Sequence, residues 1–167
     1  MDQKNRYKAL RNAIKVGDIN EVKQLVGEDK TLLHTMTSFG TWLHIAAKKG
    51  HLDIVAYLLK IGIDLNARGG TFDASALNLA AGAGHVETVK YLITEGAELD
   101  VTLAKRNPLF GAIYGGHKQV VELLVEEGID LSIRYTGEHM KDMNAYEYAR
   151  EFGQNDIADY LKVKMNH

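Results

Sequence analysis

The chain has 167 residues, 46% of them hydrophobic and 25% charged, which is enough for one domain with a sizeable buried core. Its net charge of -2 gives no global pull toward nucleic acid or an acidic membrane, and the absence of cysteine excludes disulfides, thiolate zinc sites and a thiol nucleophile. The start, MDQKNRYKALRNAIK, lacks the apolar stretch of a signal peptide, and no run approaches the ~18 apolar residues of a membrane span, so a soluble, cytoplasmic protein is expected.

Along the chain, Gly-His recurs at Gly50-His51, Gly84-His85 and Gly116-His117, and a second glycine follows 12 residues after each first one, at Gly62, Gly96 and Gly128. Successive copies lie 34 and 32 residues apart, and a period near 33 marks a solenoid. Alignment on the first glycine adds an earlier unit on Gly17 and a later one on Gly153. In chain order, the residues four before the glycine are Ala13, Ala46, Ala80, Ala112 and Ala149; those eight after it are Leu25, Leu58, Leu92, Leu124 and Leu161. Seven before stand Leu10, Leu43, Leu77, Leu109 and Tyr146, and five after stand Val22, Val55, Val89, Val121 and Ala158.

This spacing predicts two short helices per unit. Leu43, Ala46 and Ala47 make one face of a first helix; Ile54, Val55, Leu58 and Leu59 make one face of a second. The intervening glycine suits a helix end that needs positive φ. Thr41, Ser75, Asn107 and Asn144 stand where N-caps are expected, and Pro108 follows at a first helical position. Three before the glycine, Ile14, Ala47, Ala81 and Ile113 give way to Arg150; nine after it, Val26, Leu59, Ile93 and Val125 give way to Lys162. Polar residues belong on the outer side of a terminal repeat, so both are read as capping substitutions that complete the array at its C-terminus.

These residues carry a family resemblance. TWLHIAAKKGHLDIVAYLLKIGIDLNA resembles the ankyrin repeat almost residue for residue, with Trp42 where the family usually has proline. SALNLAAGAGHVETVKYLITEGAELD and NPLFGAIYGGHKQVVELLVEEGIDL are good further matches, and the first and last units diverge. The resemblance implies an all-α solenoid of about five helix–turn–helix units with projecting loops or β-hairpins. It makes residues 1–167 a single domain with units near 5–38, 39–72, 73–104, 105–140 and 141–165. It also implies a concave face that binds a protein partner, without catalysis or cofactor. A free-standing set of five repeats with a long loop before the last is similar to small bacterial ankyrin proteins, some of which are immunity proteins that neutralise a cognate toxin. An immunity or inhibitor protein is therefore the sharpest expectation, and a general adaptor, scaffold or regulatory subunit is the alternative.

Candidate contacts lie where the period varies. From second glycine to next N-cap the loops run 13, 11 and 16 residues, and the longest holds Arg134, Tyr135, His139, Met140 and Lys141. Stretched loops carry function more often than packing. The first of these loops carries Arg68 and Phe72 around a Gly69-Gly70 tip, with Phe72 either an interface anchor or folded back onto its own unit. Lys48, Lys49 and Tyr114 end the first helices, Lys105 and Arg106 precede one, and Trp42 is either an anchor or a packing plug. These cations predict a mildly basic concave face suited to an acidic partner.

Catalytic chemistry is not expected. HExxH, Gly-x-Ser-x-Gly and phosphate-loop motifs are absent from the sequence. His51, His85 and His117 recur one repeat apart, too far to share a zinc ion whose ligands lie about 2 Å away. Their recurrence points to structural hydrogen bonding. The chain is expected to be monomeric when free, without nucleic-acid or membrane binding.

Overall fold

The computed structural model describes residues 2–27, 29–138 and 140–166. Ten helices pair in chain order among these residues: α1 (Gln3–Val16) with α2 (Ile19–Val26), α3 (Trp42–Lys49) with α4 (Leu52–Lys60), α5 (Ala76–Ala83) with α6 (Val86–Thr94), α7 (Pro108–Tyr114) with α8 (Lys118–Glu126), and α9 (Ala145–Glu151) with α10 (Asn155–Met165). The odd-numbered helices stack on one another as an inner layer, and the even-numbered ones stack as an outer layer. A two-stranded antiparallel hairpin, β1 (Tyr135–Gly137) and β2 (Met140–Met143), occupies the long loop before α9. No helix among the described residues is long and apolar enough to cross a membrane.

The repeat registers become the core. Leu10, Leu43, Leu77 and Leu109 are buried, as are Ala13, Ala46, Ala80, Ala112 and Ala149, whose small side chains let the two layers approach. Leu58, Leu92, Leu124 and Leu161 are buried from the outer layer. The first unit departs from the register: Val26 is buried and Leu25 only half-buried, its carbonyl accepting from the Arg6 Nε–H at 2.8 Å. Arg150 and Lys162 lie exposed at the far end of the stack.

Caps close the inner helices. Ser75 and Asn144 accept from the N–H three residues on, at Asn78 and Glu147, and Asn107 accepts from Leu109. Such caps are each worth about 0.5–2 kcal/mol. Thr41 caps α3 differently: its N–H donates to His44 Nδ1 at 3.1 Å, while His44 Nε2 meets the Ala74 carbonyl at 2.8 Å. An Nδ1 that accepts and an Nε2 that donates describe a neutral imidazole, and burial pushes the His44 pKa below its ordinary value.

The recurring histidines stitch unit to unit. His51, His85 and His117 reach back to the carbonyls of Lys15, Lys48 and Gly82 at 3.2, 3.0 and 3.1 Å. Each carbonyl ends the preceding inner helix, so the imidazole satisfies an acceptor that the helix itself leaves open. The glycines complete this joint. Gly84 has φ 80°, and a Cβ there would lie 2.5 Å from His117 Nδ1. Backbone conformation and neighbouring ring both exclude a side chain at that position.

Trp42 is a packing plug and not a surface anchor. It is 1% exposed, its ring packs against Tyr7 at 5.9 Å, and its Nε1–H donates to the Leu32 carbonyl at 2.8 Å. The Leu32 carbonyl belongs to the short 3-10 turn Lys30–His34, which the indole ties to α3.

Candidate protein-binding face

One register maps the inner surface. Two residues before the first glycine stand Lys15, Lys48, Gly82, Tyr114 and Glu151, at the ends of α1, α3, α5, α7 and α9. The carbonyls of the first three are held by the histidine joints, so their backbone is fixed while the side chain is free to vary. The face therefore changes from cationic at one end to aromatic and acidic at the other.

At the aromatic end, five rings form a contiguous row of T-shaped and tilted contacts. Tyr135 meets Phe110 at 4.9 Å, Phe110 meets Tyr148 at 4.8 Å, Tyr148 meets Phe152 at 4.6 Å, and Phe152 meets Tyr114 at 5.2 Å. Phe110 is buried at the root of this row, whereas Tyr114 is 65% exposed at its outer end. Phe110, Tyr114, Tyr148 and Phe152 line a groove of ≈ 920 Å³ together with Leu103 and Met140, and Lys105, Glu138 and Glu151 stand on its rim. Its floor is low because of glycine. The register that carries Ile45 in α3 and Leu79 in α5 carries Gly111 in α7 and Tyr148 in α9. A Cβ on Gly111 would sit 3.6 Å from Gly82 Cα, so two glycines bring α5 and α7 close and leave space above them. Burial, and after it the neighbouring Tyr114 phenol, pushes the Tyr148 pKa above its ordinary value.

The hairpin forms one wall and is braced from behind. Arg134 Nη2 contacts the Asp142 carbonyl, pairs with Glu147 Oε2 at 2.7 Å, and Arg134 Nε pairs with Asp142 Oδ1 at 3.1 Å. Tyr135 donates its hydroxyl proton to the Val101 carbonyl at 2.5 Å and accepts from Asn107 Nδ2 at 3.0 Å. These two residues are struts of the loop, where the sequence suggested free contacts. Strand alternation then divides β2: Met140 faces the groove, and Lys141 lies on the opposite side with Arg134 and Arg150. His139 lies outside the described residues.

Along the loops the basic character is narrower than the sequence suggested. Arg68 pairs with Asp100 at 2.8 Å, and Arg106 pairs with Asp73 and donates from Nε to the Asp73 carbonyl at 3.1 Å. Burial pushes the Asp100 carboxyl up, but hydrogen bonds from Thr102 and the two guanidiniums outweigh it and hold the pKa below its ordinary value. Ion pairs such as these, each with one partner in solvent, contribute about 1 kcal/mol or less and neutralise the loop bases. Lys48 and Lys49 are exposed at the end of α3 and form no ion pair among the described residues. Phe72 is 59% exposed on its loop and borders both the cationic depression and the aromatic groove.

Sequence reasoning missed part of this face. Lys4, Lys8, Arg11 and Lys15 follow helical spacing along α1, and they line depressions that share Phe39. A charge count over the divergent first unit at helical spacing would have found them. Leu103 and Tyr148 carried no such signal, since neighbouring units assemble the groove. No group of three or more histidine or acidic residues among those described is placed to hold a metal ion.

Family comparisons agree with this architecture. Residues 77–166 match a model described as "Ankyrin repeats (3 copies)", and residues 43–93 match one described as "Ankyrin repeats (many copies)". Among curated relatives, the human "Ankyrin repeat domain-containing protein 40" is 39% identical over 66 residues, covering 38% of this chain and 18% of that protein. The mouse protein of the same name is 38% identical over 66 residues with the same coverage. The chain thus spans less than a fifth of the length of these relatives.

Proposed function

We propose, from the premise that this chain belongs to the ankyrin-repeat family, that it is an adaptor-type binding protein whose concave face and loops hold one protein partner. The observation that carries this reading is the exposed aromatic groove. Tyr114, Leu103 and Phe72 are exposed by 65%, 42% and 59% and are not spent on the core, although Leu109, Ala112 and Ile113 of the same helix as Tyr114 are buried. Tyrosine and phenylalanine give large contact area for little lost side-chain freedom, and such anchors carry most of the energy of a typical interface. A face of this size can supply about 800 Å² per partner, the usual extent for a specific complex. Neutralising a toxin is one form such binding takes, and an adaptor role uses the same surface without requiring any further feature.

The test is affinity purification from the native cell with the wild-type protein and a Tyr114→Ala, Leu103→Ser variant, followed by calorimetry on what is retained. One dominant partner bound one-to-one, weakened at least ~30-fold in the variant at unchanged melting temperature, is expected. Equal affinity of the two proteins would remove the groove from the interface.

A further inference from the structure

We infer that the partner segment is an extended stretch of protein with two unlike ends: carboxylates that sit on the α1–α3 surface, and an aliphatic or aromatic side chain, about eight residues away, that enters the α7–α9 groove. This rests on the protein-binding reading above and specifies its chemistry.

The cationic end is a continuous surface. Lys4, Lys8 and Arg11 line one depression, Lys15, Lys48 and Lys49 line the next, and Phe39, 51% exposed, belongs to both. The Arg11 guanidinium and the Lys15 ammonium lie 5.6 and 5.8 Å from the Phe39 ring centre, so two cations share one exposed ring. Among the described residues no carboxylate lines either depression. The Arg11 Nε–H is also buried without a hydrogen-bond acceptor among those residues. Like charges gathered without counter-ions repel one another, and an incoming carboxylate relieves that repulsion.

The aromatic end has opposite needs. Its groove is apolar and rimmed by Glu138 and Glu151 against Lys105 alone. An acidic side chain would be repelled there, and an apolar one would be drawn in. The same rim disfavours a nucleic-acid strand, whose phosphates would continue along the face into two carboxylates.

Geometry sets the spacing. Packed helices lie about 8–10 Å apart, and three such steps separate the α1–α3 surface from the α7–α9 groove, about 27 Å in all. An extended chain advances about 3.3 Å per residue, so about eight residues bridge the two ends. Phe72, which borders the Lys15–Lys48–Lys49 depression and the aromatic groove, stands along that path.

A displayed library of random 16-residue peptides panned on the purified protein tests the inference. Expected is a consensus with two or more Asp or Glu about eight residues from a Leu, Ile, Phe or Trp. Lys48→Glu with Lys49→Glu should weaken the synthetic consensus peptide at least tenfold, and Tyr114→Ala should do the same. Raising salt from 50 to 500 mM should weaken the wild type several-fold and the double lysine variant clearly less. Peptides with an apolar anchor and no acidic preference, still lost on Tyr114→Ala, would overturn the two-ended segment and leave the groove as a binding site. Peptides indifferent to all these substitutions would overturn both readings. Tighter retention of single-stranded oligo(dT) than of any selected peptide at equal salt would replace the acidic segment with nucleic acid.

Discussion

The two ends of the inner face share one helix-pair plan and diverge in the side chains they display and in the β1–β2 hairpin that walls the aromatic end. Around α1 and α3 the surface is cationic and anchored from beneath by Trp42; around α7 and α9 it is apolar, and glycine at Gly111 lowers its floor. The same register carries His44 under the cationic end and Phe110 under the aromatic one. A repeat scaffold thus separates what holds a unit in place from what the unit displays, because the joints use backbone carbonyls that any side chain can accompany.

The largest effect that would break this comparison comes from Trp42→Ala. It removes a fully buried ring and the hydrogen bond to Leu32, so a loss of about 3–5 kcal/mol is expected by urea denaturation. An exposed tryptophan would lose far less. Next come two glycines with opposite expected signs. Gly84→Ala forces a side chain at φ 80° against His117 and should cost about 1–3 kcal/mol. Gly111→Ala meets only ordinary contacts near Gly82 within helical backbone, so it should stabilise by about 0.5–1 kcal/mol while narrowing the groove. Thermal melts of the pair distinguish a glycine needed by the joint from one needed by the surface. Tyr114→Ala, by contrast, should change stability by less than about 0.5 kcal/mol, since the ring is mostly exposed.

The smallest effect is a pH slope at the cationic end. Burial lowers the folded pKa of His44 below its ordinary 6.5. The unfolded chain therefore binds the proton first as pH falls through that value, and stability drops on acidification toward the folded pKa. His44→Gln should flatten this part of the stability–pH curve between pH 7 and 5.5. Equal slopes in wild type and variant would show that the imidazole is not held neutral.

Much of the architecture was legible in the chain because periodic positions face periodic neighbours. The N-caps at Ser75, Asn107 and Asn144 and the glycine helix ends are local, and each can be recognised from the residues beside it. The structural role of His51, His85 and His117 followed from recurrence alone. On the candidate face, Tyr114, Phe72, Lys48 and Lys49 could be singled out as variation within the frame. Arg134 and Tyr135 could not be told from contact residues, because their partners Glu147 and Val101 are distant in sequence or belong to another unit. For Trp42 the register placed the residue at a helix start without revealing the Leu32 carbonyl beneath it.

By itself, then, the sequence determined the repeat, the helices, their ends and the layer each faces, since these depend on spacing within about 33 residues. Only the tertiary structure decided the surface. The aromatic row joins rings from three separate segments, and the cationic surface joins α1 to α3 across Phe39. Such features depend on distances between units, which no single period encodes.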